Sequence, residues 1–350
     1  MGIAATHPLR SMLGRYFMLS IMRMADSAPP RHHTARGFRN NHSSDGHGGF
    51  DALRWLPSFL LKPYRKVQFP LHRPAVEQLR TNRTQDQLTW IGHSSFLLQL
   101  AGLNLITDPH FSRRASPTQF AGPLRYTPPA LKVDELPSLD IALISHDHYD
   151  HLDEASVIAL ARHHPKLQFV VPLGLKAWLR RRRIERVIEL DWWQSADVCG
   201  LRVHAVPAQH FSGRSANDRN KTLWCGFVVE SAATPVPRRV LFAGDTGYSA
   251  DFADIGARFA PIDLALLPIG AYEPRWFMHA MHVNPDEAVK IHQDIGSRQS
   301  VAMHWGTFRL TEEPLDEPPH RLRRALDAAG IPHERFWVLQ HGETRPLITD

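Results

Sequence analysis

The sequence predicts an α/β fold, and three observations carry that prediction. Short apolar runs of strand character recur from about residue 86, helical patterns fall between them, and residues able to do chemistry stand just past the strand ends. The strands form two series, each mixed with helices, with no repeat of 20–50 residues beyond that two-halved rhythm. At 350 residues a single domain buries roughly 75% of its unfolded surface. Apolar residues at 43% and charged residues at 22% suit a globular protein and exclude collagen-like or wholly disordered chains.

Taken in order, residues 1–50 read as a poorly ordered lead-in. Tyr16 to Met22 is apolar but short for a signal-peptide core, with no cleavage site close behind it; Met24 is an equally good start. Pro29-Pro30 and the Asn-, His-, Ser- and Gly-rich stretch from Asn40 to Gly49 place His32, His33, His42 and His47 in a solvated tail. Residues 51–85 form an apolar and basic strap, with Leu53, Trp55, Leu56, Phe59, Leu60 and Leu61 beside Arg54, Lys62, Arg65 and Lys66. Such a strap either packs on the main domain or settles into an anionic membrane surface.

The main domain, 86–350, opens with a meander: Leu88–Ile91, Ser95–Leu100 and Leu103–Thr107, turning at Gly92 and Gly102. Further strands are expected at Ile141–Ser145, Gln168–Val171, Val187–Leu190, Leu201–Val206, Leu223–Glu230, Arg239–Ala243, Leu264–Leu267 and Ser300–His304. Asp153 caps a helix through Ala161, and Gly174–Arg183 carries a second whose terminal arginines complement the helix dipole. Asn284-Pro285-Asp286-Glu287 is a strong helix start, and Pro319–Ala329 stops at Gly330.

The chain has 22 histidines and only 2 cysteines, Cys199 and Cys225, so any metal must be held mainly by imidazole and carboxylate. The strongest motif is Ser145-His146-Asp147-His148-Tyr149-Asp150-His151, between an apolar strand and a capped helix. His146 and His148, two apart on an extended strand end, face the same way. Asp150 and His151 follow where the chain turns. Four ligands in six residues suit two adjacent divalent ions. By composition H-x-H-x-D-H arises by chance only about 0.005 times in such a chain. His210, Asp245 and His304 follow at further strand ends, 59, 35 and 59 residues apart in turn from His151.

This order of ligands resembles the metallo-β-lactamase superfamily over roughly residues 88–345. Trp90-Ile91-Gly92-His93, Thr107-Asp108-Pro109, Arg114-Ala115-Ser116-Pro117, Glu189-Leu190-Asp191-Trp192-Trp193, Gly244 to Tyr248, Pro268 to Met278, Met303 to Phe308 and His341-Gly342-Glu343 resemble the N-acyl-phosphatidylethanolamine-hydrolysing phospholipase D family, in its bacterial form. The resemblance implies an αβ/βα sandwich with a dimetal site along one edge. It implies two Zn2+ ions: His146, His148 and His210 on the first, Asp150, His151 and His304 on the second, Asp245 bridging both. Two zincs roughly 3.5–4 Å apart hold a hydroxide at neutral pH that attacks phosphorus in line, so no protein nucleophile is needed. Asp150 and Asp245 are then catalytic through the metals.

His282 matches a family histidine near the substrate phosphate, for contact or for proton donation to the leaving alkoxide. Asp108 and His93 are expected to orient ligands by hydrogen bonds. Tyr149 is a candidate substrate contact. Tyr272, Trp276, Phe277, Met278 and Met281 crowd one loop, as an acyl-chain wall would.

The implied reaction cleaves N-acyl-phosphatidylethanolamine to phosphatidic acid and an N-acylethanolamine. The alternatives are a soluble lactonase or sugar-phosphate hydrolase on the same fold, and after them a nuclease. The net charge of +6, without an extended basic arm, argues against nucleic acid. The expected partners are a phospholipid substrate and an anionic membrane surface, with a homodimer left open. No segment has the roughly 18 apolar residues of a spanning helix. With no convincing signal peptide, the expected location is cytoplasmic, peripherally attached to a membrane.

Overall fold

Strand alternation decides the layering. A computed structural model describes residues 30–42, 49–63, 65–232 and 237–347. The Tyr16–Met22 stretch, Met24 and His47 lie outside the described residues. The chain divides into residues 1–31 and a compact unit from His32 to Asp350, which holds every element below.

A small hairpin, β1 (His33–Thr34) and β2 (Gly37–Phe38), comes first. The first sheet starts as the expected antiparallel meander β3 (Gln87–Gly92), β4 (Ser95–Leu100) and β5 (Leu103–Thr107). It continues in parallel through β6 (Ile141–Leu143), β7 (Gln168–Pro172) and β8 (Val187–Leu190). The second sheet mirrors this plan. β9 (Ser195–Val198), β10 (Leu201–Val206), β11 (Gly226–Ser231) and β12 (Arg238–Phe242) are antiparallel, then β13 (Leu264–Pro268), β14 (Ser300–Met303) and β15 (Phe336–Trp337) run parallel. β16 (Thr344–Pro346) returns to pair with β3, so each sheet has seven strands.

Successive side chains on a strand point to opposite faces. Leu88 and Trp90, Phe96 and Leu98, Leu105, and Ile141 and Leu143 therefore share one core with Val203, Phe227, Val229 and Val240 of the second sheet. Their neighbours Ile91, Leu97, Ile106, Ala142 and Phe169 face the other way. There they pack with α2 (Val76–Thr81), α3 (Glu154–His163) and α4 (Leu175–Arg180) through Leu79, Val157, Leu160, Leu175 and Leu179. α5 (Asp251–Phe259), α7 (Pro285–Asp294) and α8 (Glu317–Ala329) supply Phe252, Ile255, Ala288, Ile291, Leu322 and Leu326 to the core of the second sheet, and the short α6 (Arg275–Met278) comes between the first two in the chain. The α/β architecture is thus a sandwich of two mixed sheets with helices outside.

Several elements depart from expectation. Leu223, Trp224 and Cys225 are buried but precede β11, because the Leu223 and Cys225 amides donate to Leu173 and Ser145 of the first sheet's loops. Ser145 and His304 lie just beyond the ends of β6 and β14, and His304 leaves its strand at φ +61°. At α7 the predicted capping box forms: Asn284 Oδ1 accepts from the Glu287 amide at 2.9 Å, and Glu287 Oε2 from the Asn284 amide at 3.0 Å.

Residues 32–42 are not a solvated tail. His32 and His33 donate to the two oxygens of Asp191 at 2.6 and 2.8 Å, and His32 is buried. Asp191 had no visible partner in the sequence, since 158 residues separate it from His33.

The strap forms α1 (Gly49–Leu61), which docks on one side only. Trp55 stacks on Phe277 at 5.4 Å, Ser58 Oγ donates to Glu312 at 2.7 Å, and Arg309 donates to the Phe59 carbonyl at 2.9 Å. Leu53, Leu56, Leu60 and Leu61 remain 43–82% exposed. No helix among the described residues is long and apolar enough to cross a membrane.

His341 stacks on Trp90 with ring centroids 4.1 Å apart, and burial pushes its pKa down to about 3. His292 is likewise lowered by burial, to about 4. Both stay neutral in the fold, while the unfolded chain takes up protons near pH 6.5. The stability they contribute is therefore present above pH 6.5 and is lost as the pH falls toward 4, by about 1.4 kcal/mol per pH unit for each group. Unfolding temperatures measured across that window should fall on acidification, and less steeply in His341→Gln.

Candidate metal centre

The site lies where strands of both sheets end. Asp108 follows β5, the His146–His151 motif follows β6, His210 follows β10, Asp245 follows β12 and His304 follows β14. Each is carried by the loop leaving the carboxyl end of a strand, so rigid sheets aim flexible side chains at one point. His93, Asp108 and His304 hold positive φ values of 57°, 30° and 61°. Strain of this kind is kept only where the surroundings over-determine it, and it gathers at functional sites. Gly270 permits one close approach: a Cβ there would lie 2.1 Å from the His304 carbonyl oxygen.

Two groups of ligand atoms result. His146 Nε2 and His210 Nε2 converge on His148 Nδ1, at 2.9 and 3.2 Å. Asp150 Oδ2 lies 3.4 Å from His151 Nε2 and 3.3 Å from His304 Nε2. Asp245 Oδ2 stands between the groups, 3.0 Å from His151 Nε2, 3.1 Å from His304 Nε2 and 3.9 Å from His210 Nε2. All seven side chains predicted as ligands are brought together.

The outer contacts decide which nitrogen is free. Asp108 Oδ2 accepts from His151 Nδ1 at 2.6 Å, leaving Nε2 its lone pair. Ser145 Oγ donates to the same carboxylate oxygen and accepts from His146 Nδ1 at 2.9 Å. The Met281 carbonyl accepts from His210 Nδ1 at 2.8 Å. His93 Nε2 donates to Asp150 Oδ2 at 3.1 Å, and its amide is held by Thr307 Oγ1 at 2.9 Å. Asp108 and His93 thus bond directly to the candidate ligands His151 and Asp150. Ser145, Thr307 and the Met281 carbonyl were missed, because a hydroxyl or a main-chain oxygen carries no motif of its own.

Burial, with the neighbouring imidazoles, drives His146 and His148 well below the ordinary histidine range; burial also takes His210 down to about 4. These three are neutral, the state in which an imidazole can hold a metal. On the other side burial lowers His304, but Asp245 and Asp150 outweigh it and hold it up at about 9; His151 is raised for the same reason. Burial would raise Asp150 and Asp245, yet His151 and His304 keep both carboxylates ionised. Two buried carboxylates among five imidazoles call for positive charge. Asp245 Oδ1, His151 Nε2 and His304 Nε2 are buried without a hydrogen-bond partner, as a cation's ligands would be once the cation is taken away. The residues present fit metal ions.

The substrate candidates fare unevenly. His282 Nδ1 lies 3.9 Å from Asp245 Oδ2, and burial lowers its pKa to about 3, leaving a neutral ring with one N–H to offer. Arg275 fixes it, donating to the His282 carbonyl at 2.8 Å while gripping both Glu287 oxygens. Tyr149 donates its hydroxyl to the Arg214 carbonyl at 3.0 Å, and the Arg214 guanidinium covers its ring. It lines a cavity of about 820 Å³ with Trp178 and Arg182, to which none of the seven metal-ligand candidates contributes. Tyr149 is thus held by Arg214 and faces this cavity. Tyr272, Phe277 and Met278 are buried, Met281 is half-buried, and Trp276 is 41% exposed under the Arg54 guanidinium.

With this geometry in view, comparison with known proteins is direct. Residues 103–305 match the beta-lactamase superfamily domain, which sets the class: a metal-dependent hydrolase on this sandwich. A metallo hydrolase from Ignicoccus hospitalis shares the fold, with a TM-score of 0.57 at 22% identity over 76% of this chain and 100% of that one. The N-acyl-phosphatidylethanolamine-hydrolyzing phospholipase D 1 of Caenorhabditis elegans is 43% identical over 69% of each chain. The mitochondrial enzyme of that name from Saccharomyces cerevisiae is 37% identical over 80% of this chain and 60% of its own length. The chain belongs to the N-acyl-phosphatidylethanolamine-hydrolysing phospholipase D family of the metallo-β-lactamase superfamily.

Asp108→Ala removes the acceptor that orients His151 directly and His146 through Ser145. Metal affinity, measured by chelator competition, should fall about 10- to 100-fold, and Asp108→Glu should not restore it fully because the carboxylate is displaced.

Proposed function

We propose that the protein is a zinc-dependent phosphodiesterase that hydrolyses N-acyl-phosphatidylethanolamine to phosphatidic acid and an N-acylethanolamine. The observation that supports it most is the shared carboxylate. Asp245 Oδ2 reaches ligand atoms of both groups, an arrangement suited to a pair of divalent ions. His146, His148 and His210 would hold one ion, Asp150, His151 and His304 the other. When bound, such a pair makes water nucleophilic at neutral pH and neutralises charge gathering on a phosphodiester.

The chain's own residues supply the rest. The oxygen of water joins phosphorus, the bond from phosphorus to the ethanolamine oxygen breaks, and the departing oxygen gains the proton that water gave up. His282, neutral and beside Asp245, suits hydrogen bonding to a phosphate oxygen better than acting as a charged acid. Asp108, Ser145 and His93 keep the ligands from turning.

The lipid reading rests on the surface beside the site. α1 leans on the short α6, which carries Trp276 and Phe277, and its outer face shows four exposed leucines. Arg54, Lys62, Arg65 and Lys66 flank them in sequence, with Lys62 and Arg65 paired to Glu312 and Asp316 at the rim. An apolar face with basic neighbours suits the interface of an anionic bilayer. A soluble lactonase or sugar-phosphate hydrolase has no use for it.

Purified protein incubated with N-acyl-phosphatidylethanolamine vesicles should release phosphatidic acid and N-acylethanolamine, identified by mass, and a chelator should stop it. Free fatty acid in their place would contradict cleavage at phosphorus. Replacing Leu53, Leu60 and Leu61 by serine should weaken co-sedimentation with phosphatidylglycerol vesicles about tenfold or more, since each buried leucine is worth about 1.5–3 kcal/mol. Turnover of a short-chain, water-soluble diester should stay unchanged in the same variant.

A further inference from the structure

The segment 32–42, which the sequence placed in a solvated tail, lies against the loop that carries His210. The Asn40 side chain pairs with both main-chain groups of that residue: Nδ2 donates to the His210 carbonyl at 3.0 Å, and Oδ1 accepts from the His210 amide at 3.1 Å. Oδ1 also accepts from Trp224 Nε1 at 3.0 Å, an indole that donates to the Ala208 carbonyl at 2.9 Å. Beyond β10 one edge of the chain is held where Gln209 bridges to Gly247, and Asn40 takes the place of a strand partner on the opposite edge, at His210. A primary amide offers a donor and an acceptor side by side, which is what a free peptide edge requires. Asn41 Nδ2 donates to Asp251 at 2.8 Å on the next residue along.

The rest of the segment is built to deliver Asn40. Its start is tied by His32 and His33 to the two oxygens of Asp191, whose Oδ1 also accepts from the Trp192 amide at 2.8 Å. Its middle is pressed onto the 212–220 loop, where the Phe38 amide donates to the Asn220 carbonyl at 2.8 Å. Gly37, at φ +142°, is needed there: a Cβ would stand 1.9 Å from that same carbonyl oxygen. His210 itself is gripped from two directions, its ring by the Met281 carbonyl and its backbone by Asn40.

We infer that residues 32–42 are a positioning strap for the metal centre and that Asn40 is its positioning residue, holding the His210 backbone so that Nε2 stays aimed at His146 and His148. The inference rests on reading His210 as a metal ligand. A ligand whose backbone is free must be ordered each time an ion binds, and that cost falls on the affinity of the His146, His148 and His210 group, leaving the Asp150, His151 and His304 group alone. The strap and the ligand it serves lie 170 residues apart, so a chain whose leading residues are trimmed away would keep every ligand and lose the clamp.

The test is zinc binding to the full-length protein, followed by chelator competition, with unfolding temperature and steady-state kinetics measured alongside. In Asn40→Ala one of two zinc equivalents should weaken by about 10- to 100-fold, the other should hold, and kcat should fall with KM nearly unchanged. Asn40→Asp keeps the acceptor and loses the donor, and should fall between. Gly37→Ala touches no group of the site, yet should reproduce the Asn40→Ala pattern by lifting the strap, which covers the case of an Asn40 variant that fails to fold. Wild-type zinc affinity at both sites in folded Asn40→Ala and Gly37→Ala proteins would overturn the strap and leave the metal reading standing. Wild-type protein that binds no zinc would overturn the metal reading, and the strap with it.

Discussion

Everything at the centre of this molecule depends on a charge balance that the protein alone can strike only by protonating two of the imidazoles that would otherwise offer lone pairs. Asp150 and Asp245 are buried among five imidazoles, and three of those, His146, His148 and His210, are held neutral. Buried carboxylates need positive charge within a few ångströms. Without ions, His151 and His304 would have to keep their protons to provide it. A divalent ion in each group removes that need and uses the same lone pairs. The arrangement is costly when empty and favourable when filled, which is what a resident metal requires.

The fold exists to maintain that arrangement. Two sheets sharing one core place the carboxyl ends of β5, β6, β10, β12 and β14 along a common edge, and the loops beyond them carry little structure of their own. Rigidity is returned by single contacts: Asp108 and Ser145 behind His151 and His146, Thr307 behind His93, and the Met281 carbonyl behind His210. Each contact also sets the tautomer of the ring it touches. An apolar surface is added from outside the sandwich by α1, whose inner face packs on Phe277 and whose outer face keeps its leucines exposed.

What the sequence disclosed follows from how each feature is encoded. The cluster was legible because a metal centre would fix residue type, order and strand-end placement together, so its five histidines could be picked from 22 as candidate ligands. The sheets were legible where alternation was long, as in β3 to β5 and β10. β9 and β15 were not, being edge strands of four and two residues with little alternation to read. The lead-in misled for a physical reason. Its composition is that of a tail, but two histidines find one carboxylate and one asparagine finds the peptide edge at His210, and such pairings leave no periodic trace. Tyr149 shows the same limit: it stands inside the metal motif, yet its hydroxyl bonds to the carbonyl of Arg214, 65 residues away.

The central claim is that two ions share Asp245. Anomalous diffraction collected at the zinc absorption edge from crystals of the zinc-loaded protein tests it most directly. The account predicts two peaks, one among His146, His148 and His210 and one among Asp150, His151 and His304, with Asp245 touching both. A single peak, or a second one away from these residues, would contradict it.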